Sequence, residues 1–143
     1  MKVELKHLAP YLPYGLTGIS KEQYFGIETV VGYSTYGKEK SIELTTNIDA
    51  IIIEEFKPIL RPLSDLTKEI EHNGEKFVPI DWFENKYYTL DLHKQCKRLL
   101  EEDGENWIYQ SDYMLVEHLF EWHFDVFGLI PEGLAIDLNT LKS

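Results

Sequence analysis

Residues 24–56 read YFGIETVVGYSTYGKEKSIELTTNIDAIIIEEF, and the fold class turns on their period. Phe25, Ile27, Val31 and Tyr33 alternate with Gly26, Glu28, Gly32 and Ser34, the two-residue repeat of a half-buried strand. Tyr36-Gly37-Lys38 supplies a turn, after which Ile42, Leu44 and Thr46 alternate with Ser41, Glu43 and Thr45 in a second strand. Asn47 to Asp49 form a further turn, and the β-branched run Ile51, Ile52 and Ile53 predicts a third strand over 50–56, buried on both faces. Short strands joined by local turns pair as an antiparallel sheet.

Outward from this stretch the period changes. Leu5, Leu8 and Leu12 have helical spacing, but Pro10 and Pro13 interrupt it, so the opening is a helical turn running into irregular chain. Lys57 to Pro62 reads as a connector, because Pro58 and Pro62 lack the amide hydrogen that regular structure uses. Ser64 then caps a helix of about two turns carrying Leu63, Leu66 and Ile70, with Asn73-Gly74 as its stop. Phe77, Val78 and Ile80 predict an edge strand limited by Pro79. Leu92, Cys96, Leu99 and Leu100 fall on one face of a helix from Asp91 to Asp103, followed by Gly104. A last helix runs from Ser111 to Phe127, capped by Ser111 and Asp112 and stopped by Gly128. Its wheel places Val116, Leu119, Phe120, His123, Phe124 and Phe127 inward, with Glu117, His118, Glu121 and Asp125 opposite. Leu134, Ile136 and Leu138 predict a short closing strand. Strands before residue 57 and helices after it define a single α+β domain over 1–143, an antiparallel sheet from the N-terminal half covered by helices from the C-terminal half.

Composition narrows the function classes. With 43% hydrophobic residues in 143, there is enough apolar material for a packed core, which argues against intrinsic disorder. No apolar run reaches the roughly 18 to 20 residues of a membrane span, and the N-terminus has no apolar core of a secretory signal, so a cytoplasmic protein is expected. A lone cysteine, Cys96, rules out an internal disulfide and multi-cysteine zinc sites. The net charge of −11 is uneven: residues 101–143 hold 1 basic and 10 acidic groups. Direct nucleic-acid binding is therefore disfavoured, since phosphate contact needs clustered cations.

Three stretches, LKHLAPYLPYGL (5–16), PILRPLSDLTKEIEHNGEKFVPI (58–80) and LFEWHFDVFGLIPEGLAIDLNTL (119–141), together resemble a group of small uncharacterised proteins encoded in bacterial prophages and mobile elements. The resemblance implies expression in a bacterial cell and an accessory role. It carries no activity, cofactor or catalytic residue onto this chain.

The chemistry-bearing candidates are few. His118, Glu121 and Asp125 share one face of the predicted helix and with a further ligand would hold a divalent metal, the basis of a small metal-dependent hydrolase. His118 and His123, five apart and about 140° around a helix, do not converge. His123 sits among phenylalanines, where a neutral imidazole tied to a carbonyl or carboxylate is expected. Cys96, with His93, Lys94, Lys97 and Arg98 near in sequence, has the makings of a nucleophile, but its apolar flank predicts a packed thiol. Phosphate-cradling and dinucleotide motifs are missing from the sequence, no cofactor is expected, and no catalytic residue is assigned. The aromatic clusters Trp82, Phe83, Tyr87 and Tyr88, then Trp107 and Tyr109, exceed what a small core needs and suggest contact with a protein partner. A rival reading makes the acidic C-terminal third a nucleic-acid mimic that occupies a DNA-binding protein.

Overall fold

A computed structural model of the chain describes residues 2–20, 26–34, 40–44, 51–87, 90–100 and 111–141. The turns expected at 36–38 and 47–49, the acidic run 101–105, Tyr88, Trp107 and Tyr109 lie outside them. The chain divides into two compact units, Met1–Leu60 with Gly128–Ser143, and Arg61–Phe127. The fold class is α+β, as the periods predict.

In the first unit, helix α1 (Leu5–Leu8) passes into a tighter helical turn, Ala9–Tyr14, which Gly15 ends at φ 71°. Strands β1 (Thr17–Ser20), β2 (Glu28–Ser34), β3 (Ser41–Leu44), β4 (Ile51–Ile52), β5 (Phe56–Leu60) and β8 (Ile136–Asp137) form one sheet in the order β4-β3-β2-β1-β5-β8. Pairing is antiparallel except at β5 and β8, where Ile59 faces Ile136 in parallel.

Three expectations for this unit change. The apolar set read as the buried face, Ile27, Val31 and Tyr33, is 58%, 61% and 56% exposed, whereas Glu28 and Val30 are 2% and 6% exposed. The register shifts between Val30 and Gly32, so Val31 is the extra residue of a bulge, but Ile27, before the bulge, is exposed as well: the strand alternates as expected and buries the opposite set of side chains. The strand expected over 50–56 is broken by a helical turn at Ile53–Glu55, which still buries Ile51 and Ile53. Lys57 to Leu60, expected to be a connector, belongs to the inner strand β5. Pro58 is tolerated because it stands where pairing passes from β1 to β8: it faces Gly18 on one side, and the β8 ladder begins at Ile59.

The second unit begins at Arg61, which bridges Phe124 in parallel: its amide donates to the His123 carbonyl at 2.7 Å, and the Asp125 amide donates to its carbonyl at 2.8 Å. The helix expected from Ser64 is instead a short turn, Leu63–Thr67, followed by a hairpin of β6 (Ile70–His72) and β7 (Glu75–Phe77). Asn73-Gly74 is the reason. With φ of 51° and 83° these two residues make the two-residue turn that suits hairpin twist, so the pair connects strands where it was read as a helix stop. Helices α2 (Pro79–Tyr87), α3 (Leu90–Leu99) and α4 (Tyr113–Glu121) follow among the described residues of the unit. Leu66, Ile70, Ile80, Phe83, Leu115 and Leu119 belong to one buried cluster.

Helix α4 stops about six residues before the expected end. Trp122 closes it, and His123 takes φ 61°, a left-handed conformation that ends a helix. Asp112 occupies the N-cap position, but its carboxylate accepts from Gln95 Nε2 at 3.1 Å and its amide donates to Gln95 Oε1 at 2.9 Å, so the pair ties α4 to α3. At the other end, the buried Arg61 Nε donates to the Trp122 carbonyl at 3.0 Å and a terminal nitrogen donates to the Glu71 carbonyl at 2.7 Å.

Two substitutions test these features. Gly18→Ala is expected to destabilise the protein by about 2 kcal/mol or more, because a β-carbon there collides with the Phe56 ring and the Lys57 carbonyl. Arg61→Met, similar in length but uncharged, leaves two carbonyls without their donor and is expected to cost about 3 kcal/mol. Urea unfolding midpoints check both, and an unchanged midpoint for either contradicts the packing described.

Candidate functional site

Pro79, expected to confine a strand to the sheet edge, is the first residue of α2, where its missing amide hydrogen costs nothing. The Val78 carbonyl accepts from the Asp81 and Trp82 amides at 3.1 and 2.9 Å, which closes the first turn. Val78, Asp81, Trp82 and Asn85 are spaced three and four apart, so they share one flank of α2. With Phe77 from β7 they line a depression of about 380 Å³. Phe77, Val78 and Trp82 are half-buried, while Asp81 and Asn85 are exposed.

Behind this surface lies a nest of rings. Trp82 presents an edge to Trp122 at 5.0 Å, to Phe83 at 5.5 Å and to His118 at 4.8 Å between centroids. His118 stacks on Trp122 at 5.2 Å, and Phe77 approaches Trp122 to 4.9 Å. Such pairs each contribute roughly 0.5–1.5 kcal/mol beyond the area they bury. Their combined effect is to fix the Trp82 ring while leaving part of it open to solvent.

Of the aromatic residues singled out in the sequence, Phe83 is wholly buried and supports the site from behind, while Trp82 lines the depression. Tyr87 lies on α2, and its side chain is outside the described set, as are Tyr88, Trp107 and Tyr109. The proposed metal ligands are separated in kind. His118 Nδ1 is 3.4 Å from Glu121 Oε1 on α4, but Asp125 lies beyond the end of that helix, buried in the segment bridging Arg61. Among the described residues no group of three His, Cys, Asp or Glu side chains could hold a metal ion. His118, expected on the polar face, is only 19% exposed at its side chain because α4 turns it into the aromatic nest.

Cys96 is fully buried, and burial pushes its thiol up to about 12, which leaves almost no thiolate near neutral pH. His123 sits past α4, its ring centroid 5.5 Å from that of His72 and the two rings nearly perpendicular. In the first unit, His7 Nδ1 accepts from the Glu4 amide at 2.9 Å. Glu4, Glu54 and Glu55 line a second depression of about 330 Å³ together with Lys40, so that one carries both signs of charge. Among the described residues no helix is long and apolar enough to cross a membrane. Comparison with protein-family models, curated proteins and solved structures gives no match to this chain.

Two histidines give the stability a pH dependence of defined sign. Burial lowers the His72 value, with the nearby Arg61 charge acting the same way and Glu121 opposing. Burial also lowers that of His7, opposed by Glu4. The folded state therefore binds fewer protons than the unfolded chain, so this stability is present above the ordinary value of 6.5 and is lost as pH falls below it toward the folded values. Denaturant midpoints are expected to drop between pH 7.5 and 5.5, and to drop less in His72→Asn or His7→Asn; equal losses in all three proteins would contradict this.

Proposed function

We propose that this protein is a cytoplasmic, prophage-type accessory protein that works by holding a partner protein against the flank of α2. The observation that supports this reading is the combination of a half-exposed indole, Trp82, with a rigid ring packing behind it and a depression beside it. Aromatic anchors held in place before contact lose little conformational freedom on binding, which is why they dominate interface energetics. The acidic balance of the chain favours partners of opposite charge at the encounter stage. In this reading His118 is a positioning group: it stacks on Trp122, packs against Trp82 and stands beside Glu121.

A photo-crosslinking amino acid placed at the exposed Asn85 and activated in bacterial cells tests the proposal. Discrete adducts are expected, reduced at least tenfold in Trp82→Ala, with circular dichroism confirming that the variant remains folded. Adducts of the same yield in a folded Trp82→Ala protein, or none above background in the parent, would overturn it.

A further inference from the structure

We propose that the depression along α2 receives a single basic side chain, arginine or lysine, from the partner polypeptide. This rests on the docking reading above and names its chemistry. The depression is small: about 380 Å³ is near the lower end of ligand-sized clefts, roughly 300–1,000 Å³, which suits one side chain better than a length of peptide. Its walls are of two kinds. Phe77, Val78 and Trp82 offer apolar and aromatic surface, and Asp81 adds a carboxylate one residue from the indole.

The charge pattern selects the occupant. Among the described residues Asp81 is the one charged residue lining this depression, and its carboxylate has no ion pair or hydrogen bond with any of them. Other carboxylates in the molecule do have cationic neighbours: Glu4 has Lys6 at 3.2 Å, Glu54 has Lys2 at 3.4 Å and Asp65 has Lys68 at 3.4 Å. A neutral apolar occupant would use the rings and leave Asp81 idle at the rim. A basic side chain uses both, because its methylene stem packs on apolar surface while its head remains polar, and a guanidinium also stacks on aromatic faces. Asp81 is in the first turn of α2, where the helix dipole favours a negative charge with or without a ligand. The test must therefore read ligand discrimination, since stability alone would not separate the two roles.

The probes are four short host peptides, glycine-serine sequences with one central arginine, citrulline, lysine or norleucine, titrated into the full ¹⁵N-labelled chain. The readout is the indole N–H signal assigned to Trp82 by comparison with Trp82→Phe. Arginine is expected to bind five- to tenfold more tightly than citrulline, its neutral near-isostere, and lysine more tightly than norleucine, with both gaps closing in 1 M salt. In Asp81→Asn the arginine peptide should fall to the affinity of the citrulline peptide, whose own affinity should not change. Equal binding of the charged and neutral peptides to the parent overturns the basic occupant while leaving the docking reading standing. Tighter binding of norleucine points to a purely apolar partner and overturns it as well. Shifts of the Trp82 signal with protein concentration alone identify a second copy as the occupant. No shift with any peptide removes both proposals at this site.

Discussion

The buried Arg61 guanidinium is the interaction on which the second unit depends. One nitrogen takes the carbonyl at the end of α4, another takes a carbonyl of the β6–β7 hairpin, and the Arg61 backbone bridges the segment in between. Burial holds its value below the usual arginine range, and Asp65 partly offsets that by charge. A cation suits the end of a helix because the last carbonyls point outward with no intrahelical donor. The position of Trp122 follows from this attachment. Trp122 in turn supports Phe77, Trp82 and His118, so a group with no part in the depression sets the ring that lines it.

Much of the architecture can be read from the period of the side chains. Strands β2 and β3, amphipathic helices near 91 and 113, and the turn after the first leucines follow from spacing and turn residues, whereas the four residues of β1 show no period of their own. The departures have local causes that a single sequence expresses ambiguously. Asn73-Gly74 suits a helix stop and a hairpin equally well, and only pairing between Ile70 and Phe77 decides. Pro79 ends strands and begins helices by virtue of the same missing donor. Alternation in β2 shows that one set of side chains faces inward but not which set, and the structure buries Glu28 and Val30 where apolarity alone favours Ile27, Val31 and Tyr33.

The site was legible in part. Trp82 and Phe83 stand out by aromatic density, but density does not say which ring is buried. Val78, Asp81 and Asn85 are hidden in the sequence because Phe77, Val78 and Ile80 suggest a strand, whose period conceals the helical spacing with Trp82; Pro79 as a first helical residue is the one signal that exposes this flank. A helix continued to residue 127 puts His118 on a solvated face beside Asp125, whereas the helix that ends at Glu121 sends Asp125 elsewhere.

The arrangement of the two units along the chain has a consequence for biosynthesis. Arg61–Phe127 interrupts the first unit, whose strand β8 comes only from residues 136–137 and completes the sheet beside β5. As the polypeptide leaves the ribosome, the five earlier strands emerge without their last neighbour, and the flank of β5 must wait for everything in between to be translated. The inserted unit is contiguous, so it closes its own contacts without waiting for chain beyond Phe127. The sheet of the first unit is therefore the element whose completion spans the longest stretch of chain, since β5 and its parallel neighbour β8 stand on either side of the inserted segment in sequence.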